Sequence, residues 1–292
     1  MGYVGRFAPS PTGALHIGSL TTAVASFLDA RQANGEWLLR IDDIDPPREV
    51  PGAADSILRT LEAMQMHWDR SVLYQSSRLD AYRASAQRLL EQGLAYRCSC
   101  TRKTLRDAKV RGNRYPGLCR DKNLRGPGTS VRIKVDEAQD DRFADGLQGP
   151  LSGNVGTTLG DYIVFRRDGL PAYHLAVVLD DAYQGVTDVV RGCDLLDATF
   201  AHRHLQRLLG LPSPRYWHLP VLVNADGQKL SKRTGARAVA TDRPSELAVT
   251  CLRLLGLEPP ETLKPASIAT VWAWARNHWD VRSLKGRNSI EI

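Results

Sequence analysis

"RFAPSPTGALHIGSL", Arg6 to Leu20, decides how the rest of the chain is read. The run "YVGRFA" at residues 3–8 has the apolar density of a buried strand. Pro9 and Pro11 stop it. From Gly18 to about Gln32 the apolar residues Leu20, Val24, Phe27 and Leu28 recur on one helical face. Strand, proline-rich loop and helix follow one another without a gap. The N-terminus of such a helix carries unpaired backbone N–H groups and a partial positive charge, which together attract phosphate. Gly13 and Gly18 would let a nucleotide come close to the backbone, and His16 could donate a hydrogen bond to a phosphate oxygen. The competing reading is that His16 only packs or caps the helix.

The pattern continues outward. "EWLLRID" (36–42) reads as a second strand after the Asn34-Gly35 turn, followed by helices over roughly 52–64 and 78–92. Residues 97–130 change texture, becoming rich in basic residues, Gly and Cys, as in an insertion. From about Gly160 "YIVFRR", "YHLAVVLDD", "VTDVVRG" and "WHLPVLV" read as strands, with a helix near 197–209. Two further helices are expected at 245–255 and 266–278. Strands alternating with helices imply a Rossmann-like, doubly wound α/β parallel sheet. The expected units are 1–96 and 159–234 as two halves of a core, 97–158 as an inserted subdomain, and 235–292 as a helical subdomain.

Composition bounds the partners. The 292 residues carry a net charge of +7, which favours a polyanionic ligand. No apolar run approaches the roughly 18 residues of a membrane helix, and no signal peptide is recognisable, so a cytoplasmic protein without a membrane partner is expected. Five cysteines, an odd count, fit a reducing compartment better than a disulfide framework.

A second loop, "ADGQKLSKRTG" (225–235), follows the last core strand. Lys229 and Lys232 flank a serine there and could clamp a triphosphate; a solvated basic loop is the plainer reading. Two such loops suit nucleotidyl transfer, a chemistry that needs positioning and cations more than a protein nucleophile. No Gly-x-Ser-x-Gly elbow is present.

"PSPTGALHIGSL" resembles the HIGH signature of class I aminoacyl-tRNA synthetases in its glutamate form, and "KLSKR" resembles their KMSKS loop. "RIDDID" and "YHLAVVLDDAYQGVTDVVRGCDLLDAT" lie between them in the order of the glutamate subgroup, so the resemblance spans roughly residues 3–235. "RIDDIDPPREVPGAA" and "CSC…YPGLC" are similar to the small members of that subgroup that attach glutamate to queuosine in the anticodon of tRNA(Asp). The resemblance implies ATP and L-glutamate as substrates, Mg²⁺ with the ATP, and tRNA(Asp) carrying queuosine as acceptor. It puts His16, Gly18, Lys229 and Lys232 at ATP, with His16 and Lys232 catalytic. It puts Arg6, Ala8, Ser10, Asp42, Tyr173 and Arg191 around glutamate. Guanidinium groups suit carboxylates, Asp42 suits the ammonium, and Tyr173 adds a hydroxyl. Two positions depart from the pattern. Ser19 replaces the second histidine of HIGH, and Asp42 stands where relatives have Glu. Asp180 and Asp181 read as structural, outside the site.

Cys98, Cys100 and Cys119 supply three soft ligands, and structural zinc takes four. No histidine lies between His67 and His174, so the fourth ligand must be an oxygen donor or water. The resemblance points to Tyr115, through Tyr115-x-x-x-Cys119, and hence to one structural Zn²⁺. Cys193 and Cys251 read as core residues, and His202 and His204, two apart on a helix, as a poor metal pair.

Residues 102–125 hold nine basic and two acidic side chains, a local +7. A solvated face would explain this; so would RNA-backbone contact, with Lys103, Lys109 and Arg111 as candidates. Only 60 residues follow Lys232, too few for a separate anticodon-binding domain, which a 3′-end-charging enzyme would need. The expectation is therefore a monomer that modifies the anticodon itself. The alternatives are a truncated glutamyl enzyme charging a tRNA 3′ end, a non-catalytic RNA-binding relative, and a small-molecule adenylyltransferase of the same superfamily.

Overall fold

The computed structural model describes residues 2–108, 114–136, 138, 140–230 and 237–292. Strand β1 (Val4–Phe7) leads through helix α1 (Ile17–Gln32) to β2 (Glu36–Ile41), and through α2 (Ala53–Ala63) to β3 (Leu73–Tyr74). Helix α3 (Leu79–Glu91), β4 (Ala95–Cys98) and α4 (Arg102–Asp107) follow. Then come β5 (Ser130–Ile133), β6 (Asp141–Asp145), β7 (Gly149–Gly153), α5 (Val155–Thr158) and β8 (Ile163–Phe165). Helix α6 (Tyr173–Gln184), β9 (Asp188–Gly192), α7 (Leu196–Leu209), β10 (Arg215–Leu219) and β11 (Val221–Val223) form the second α/β half. The chain closes with α8 (Pro244–Leu254), α9 (Ile268–His278) and β12 (Ser289–Glu291).

β1, β2 and β3 are parallel neighbours, as are β9 and β10. The Thr187 N–H donates to the Val4 carbonyl at 2.9 Å and Thr187 Oγ1 accepts from the Val4 N–H at 2.8 Å, which seats β9 beside β1. The chain winds outward from β1 in one direction and from β9 in the other. Ligands of doubly wound sheets bind beyond the strand C-termini at such a reversal. The His16 loop leaves β1 there, and Arg6 and Arg191 sit on the two central strands.

Helix α1 is buried on almost every side, with Leu20, Val24, Phe27 and Leu28 inside. Phe27 meets Trp37 of β2 and Trp272 of α9 edge-on, at 5.3 and 5.8 Å between ring centres. The C-terminal helices thus complete the core over α1. β4, β5 and β8 make a separate antiparallel sheet, and β6 pairs with β7 as a hairpin. The β5–β8 pairing runs across position 158, where the sequence suggested a division.

Three elements differ from the sequence reading. "YHLAVVLDD" is helix α6 and not a strand: its continuous apolar run is buried on several sides, and periodicity does not separate that case from a central strand. "WHLPVLV" is two short strands parted at Pro220, which has no N–H to give a ladder. β12, which pairs in parallel with β11, was not foreseen. No helix among the described residues is long and apolar enough to cross a membrane.

Candidate active site

His16 is the N-cap of α1. Its Nδ1 accepts the Ser19 N–H at 3.3 Å, and Ser19 Oγ accepts the His16 N–H at 3.0 Å, a reciprocal capping box. An Nδ1 that accepts leaves the ring proton on Nε2, a donor suited to a phosphate oxygen. The serine at the second histidine position therefore stabilises the helix start and orients His16. Gly18 has a steric role as well, since a Cβ there would come within 3.2 Å of the His16 ring. Ala8 is half-buried and Ser10 exposed on the same loop.

Lys229 lies on the other loop, exposed and paired with Asp194 at 2.6 Å. Lys232 lies outside the described residues. Beyond it, Ala238 bridges to His16 and the Val239 N–H donates to the Leu15 carbonyl at 3.0 Å. That pairing brings the segment after the lysine loop against the His16 loop.

Four charged side chains fill the space under β1 and β2. Arg40 donates to Asp42 at 2.8 Å and to Asp181 at 2.6 Å, and Arg6 reaches Asp181 at 3.4 Å. Arg40 and Asp42 are two apart on one strand direction and so share a face. Burial raises the Asp42 carboxyl to about 6 despite the Arg40 cation. Burial would also raise Asp181, but Arg6 and Arg40 outweigh it and hold that carboxyl below its usual range. Asp180 points elsewhere, accepting from Gln75, Arg78 and Tyr82, in keeping with a structural role. Asp181 pairs instead with Arg6 and Arg40, also a structural contact, and its carboxyl holds Arg6 in place.

Arg191 has another kind of environment. It is 4% exposed, yet it donates only to neutral acceptors. These are His218 Nε2 at 3.1 Å, His202 Nδ1 at 3.3 Å, Thr199 Oγ1 at 2.8 Å and the Leu195 carbonyl at 3.2 Å. Among the described residues no carboxylate pairs with it. Burial, then the Arg191 charge, hold His202 well below the ordinary histidine range and His174 at about 4, so both rings are neutral near pH 7. Because His202 accepts at Nδ1, its proton is on Nε2, and that buried N–H has no partner among the described residues. Tyr173, at the first turn of α6, lies against the rings of His174 and His202. The cluster offers a buried cation and a spare N–H to an incoming anion. His202, His218 and Thr199 were not foreseen in this role. His204 instead meets Tyr162, as expected for two histidines facing apart.

Away from the His16 and Lys229 loops, the Cys98, Cys100 and Cys119 sulfurs lie within 4.8 Å of one another. Tyr115 Oη is 3.3 Å from both Cys98 and Cys100, and Cys100 and Cys119 are 3.5 Å apart. A tetrahedron with Zn–S bonds of about 2.3 Å has ligand separations of roughly 3.8 Å, so these four donors have the spacing of a small tetrahedral site. The Arg132 guanidinium lies 3.6 Å over the Tyr115 ring and fixes it. Gly160, with φ +62°, pairs with the Tyr115 backbone so closely that a Cβ would lie 2.2 Å from its carbonyl oxygen. All five cysteines are free thiols; Cys251 is in the core as expected, whereas Cys193 is not a core residue but half-buried, donating to the Asn288 carbonyl.

Residues 3–266 match the family model for tRNA synthetases class I (E and Q), catalytic domain. The chain belongs to this family. Among class I E/Q synthetases it is 50% identical over 282 residues to the glutamyl-Q tRNA(Asp) synthetase of Ectopseudomonas mendocina, covering 97% of this chain and 95% of that one. It is 49% identical over 282 residues to the protein of the same name from Pseudomonas aeruginosa, with the same coverage. A glutamate tRNA ligase from Elizabethkingia meningosepticum, solved in complex with its amino acid, superposes with a TM-score of 0.82 at 26% identity. That match covers 98% of this chain and 66% of the ligase, so the chain spans about two thirds of the solved protein. The glutamate-tRNA synthetase from Elizabethkingia anophelis gives 0.83 at 26% identity, covering 100% of this chain and 68% of that one.

Proposed function

We propose that the protein activates L-glutamate with ATP as glutamyl-adenylate and transfers the glutamyl group to the queuosine base in the anticodon of tRNA(Asp). Arg191 carries the amino-acid half of this reading: a buried guanidinium held, among the described residues, only by neutral groups suits a carboxylate brought by the ligand. The relatives named glutamyl-Q tRNA(Asp) synthetase support the RNA half.

In this reading Arg6, Arg191 and Tyr173 receive glutamate beside Ala8 and Ser10, and Asp42 faces its ammonium. The α-carboxylate attacks the α-phosphate of ATP, and pyrophosphate leaves. His16 Nε2–H, the α1 N-terminus with Gly18, Lys229 and Lys232 stabilise the phosphate charge, and Mg²⁺ accompanies the ATP. A cyclopentene-diol hydroxyl of queuosine then attacks the activated carbonyl, its proton is lost, and AMP leaves. Cys98, Cys100, Tyr115 and Cys119 would hold one structural Zn²⁺, which would supply folding energy to the inserted subdomain, expected at 97–158 and joined by β4 and β8 to the core on either side. The 235–292 subdomain braces α1. The protein acts as a cytoplasmic monomer.

The test supplies labelled glutamate and ATP with tRNA(Asp) containing or lacking queuosine, each with and without its terminal adenosine. Label only on queuosine-containing RNA, insensitive to loss of the adenosine, is expected. Label that disappears with the terminal adenosine means 3′-end charging. Absence of any glutamate-dependent pyrophosphate exchange means a non-catalytic RNA binder.

A further inference from the structure

The polar groups around Arg191 are arranged in an order that its role as a carboxylate receptor does not by itself require. His218, on β10, is wholly buried. Its Nδ1 lies 2.6 Å from Asp145 Oδ2, and its Nε2 lies 3.1 Å from Arg191 Nε. A carboxylate only accepts and a guanidinium only donates. The two contacts therefore determine the tautomer without sight of a hydrogen: Nδ1 carries the proton and Nε2 presents its lone pair. Asp145 is itself fixed. Its Oδ1 accepts the backbone N–H groups of Leu147, Gln148 and His218, at 3.0, 2.9 and 3.2 Å. Burial lowers His218 below the ordinary histidine range even with Asp145 acting against it, so the ring stays neutral.

We propose that the Asp145–His218 pair is a positioning device for Arg191: it holds the imidazole in the one tautomer that accepts Arg191 Nε–H, and so aims the guanidinium edge that receives the substrate carboxylate. Nε is thereby committed to the protein. Thr199 Oγ1 and the Leu195 carbonyl accept from one terminal nitrogen and His202 Nδ1 from the other, which prevents rotation about the Nε–Cζ axis. With the opposite tautomer, Nε2–H would face Arg191 Nε–H, donor against donor, and its acceptor would be Thr199 Oγ1, 3.1 Å away, so the Arg191–His218 bond would be lost. The support comes from far away in sequence. Asp145 ends β6, the first strand of the hairpin with β7, and is 73 residues from His218. The hairpin thus reaches into the amino-acid site through one carboxylate. This inference rests on the reading of Arg191 as the glutamate receptor.

Asp145→Asn is the discriminating change. The three backbone N–H groups keep the amide oxygen at the Oδ1 position. The amide NH₂ must then face His218 Nδ1, which moves the ring proton to Nε2. Pyrophosphate exchange is measured while glutamate and ATP are varied separately, alongside ¹⁵N spectra of the histidine rings. The wild-type His218 should be protonated at Nδ1 and bare at Nε2. Asp145→Asn should reverse this and raise KM for glutamate by about tenfold to a hundredfold, the usual effect of losing a hydrogen bond to a charged group. KM for ATP should stay within about twofold. His218→Gln, whose amide oxygen can accept from Arg191, should keep more glutamate affinity than His218→Leu at matched thermal stability. Arg191→Lys is the control. If Arg191→Lys leaves KM for glutamate unchanged, the receptor reading fails. If it raises KM but Asp145→Asn does not, only the positioning device fails. Wild-type His218 protonated at Nε2, or equal losses in His218→Gln and His218→Leu, also overturns it.

Discussion

Arg40 Nη1 lies 2.6 Å from Asp181 Oδ1, with the arginine wholly buried, and this pair ties the end of β2 to α6. Through it the charges of Arg6, Arg40, Asp42 and Asp181 balance before any substrate arrives. Removing one member leaves a buried charge without its partner, which is far more costly than never having had the pair.

Asp181→Asn should therefore lower folding stability by about 3–5 kcal/mol, the usual loss when one side of a buried ion pair is deleted. Denaturant unfolding at neutral pH measures this. A loss below about 1 kcal/mol would show that Arg40 relaxes to other acceptors, with Gln184 the nearest at 3.4 Å.

Asp42 and Asp181 have opposite pH signatures. The Asp181 carboxyl is depressed in the folded state, so its contribution is present above the unfolded value near 4 and is lost as pH falls below it. Asp42 is raised to about 6, so its contribution is largest below about 4 and is lost as pH rises through 6. Asp42→Asn should remove a stability slope of up to about 3 kcal/mol between pH 4 and 6. Identical pH profiles for wild type and variant would mean that Asp42 is not perturbed.

Metal analysis of protein purified in zinc-replete, chelator-free buffer should find one Zn²⁺ per chain, and a chelator should lower the thermal midpoint. Gly160→Ala should reduce the metal content, because a Cβ has no room against the Tyr115 carbonyl and the positive φ is unfavourable for alanine. A zinc content unchanged by Gly160→Ala would uncouple that backbone contact from the ligand set.

Glutamate-dependent pyrophosphate exchange should proceed without RNA, since both nucleotide loops belong to the chain itself. Lys232→Ala should slow it by roughly 10²–10³-fold, the typical effect of losing one group that stabilises transition-state charge. A change under about threefold removes Lys232 from the mechanism.

Replacing Lys103, Lys109 and Arg111 by Ala should weaken tRNA binding and flatten its salt dependence, while leaving RNA-free exchange intact. Lys103 lies exposed on α4; Lys109 and Arg111 lie outside the described residues. Salt titrations with the same slope for wild type and variant would make this stretch a solvated face.

Local signals made the strand–loop–helix at Arg6–Leu20 legible: prolines to stop a strand, a cap, and a helical repeat. Cys98, Cys100 and Cys119 of the candidate metal site were legible as soft ligands at close spacing, and Tyr115 only through the family resemblance. α6 was not, because apolar residues on all sides erase the periodicity that marks a helix, and its buried Asp180 and Asp181 are compensated by arginines far along the chain. Asp145 and His218 were still less visible. Each looks ordinary in its own segment, and their meaning comes from a contact made only when the β6–β7 hairpin folds onto β10.

A guanidinium such as that of Arg191, buried with no carboxylate partner among the described residues, couples occupancy to folding. An anion that enters completes the charge balance of the interior, so part of its binding energy reappears as resistance to unfolding, growing as RT ln(1 + [L]/Kd). Melting curves recorded across a glutamate titration then become binding isotherms. Small carboxylates that neutralise the same charge but cannot be activated should raise the melting temperature while inhibiting exchange.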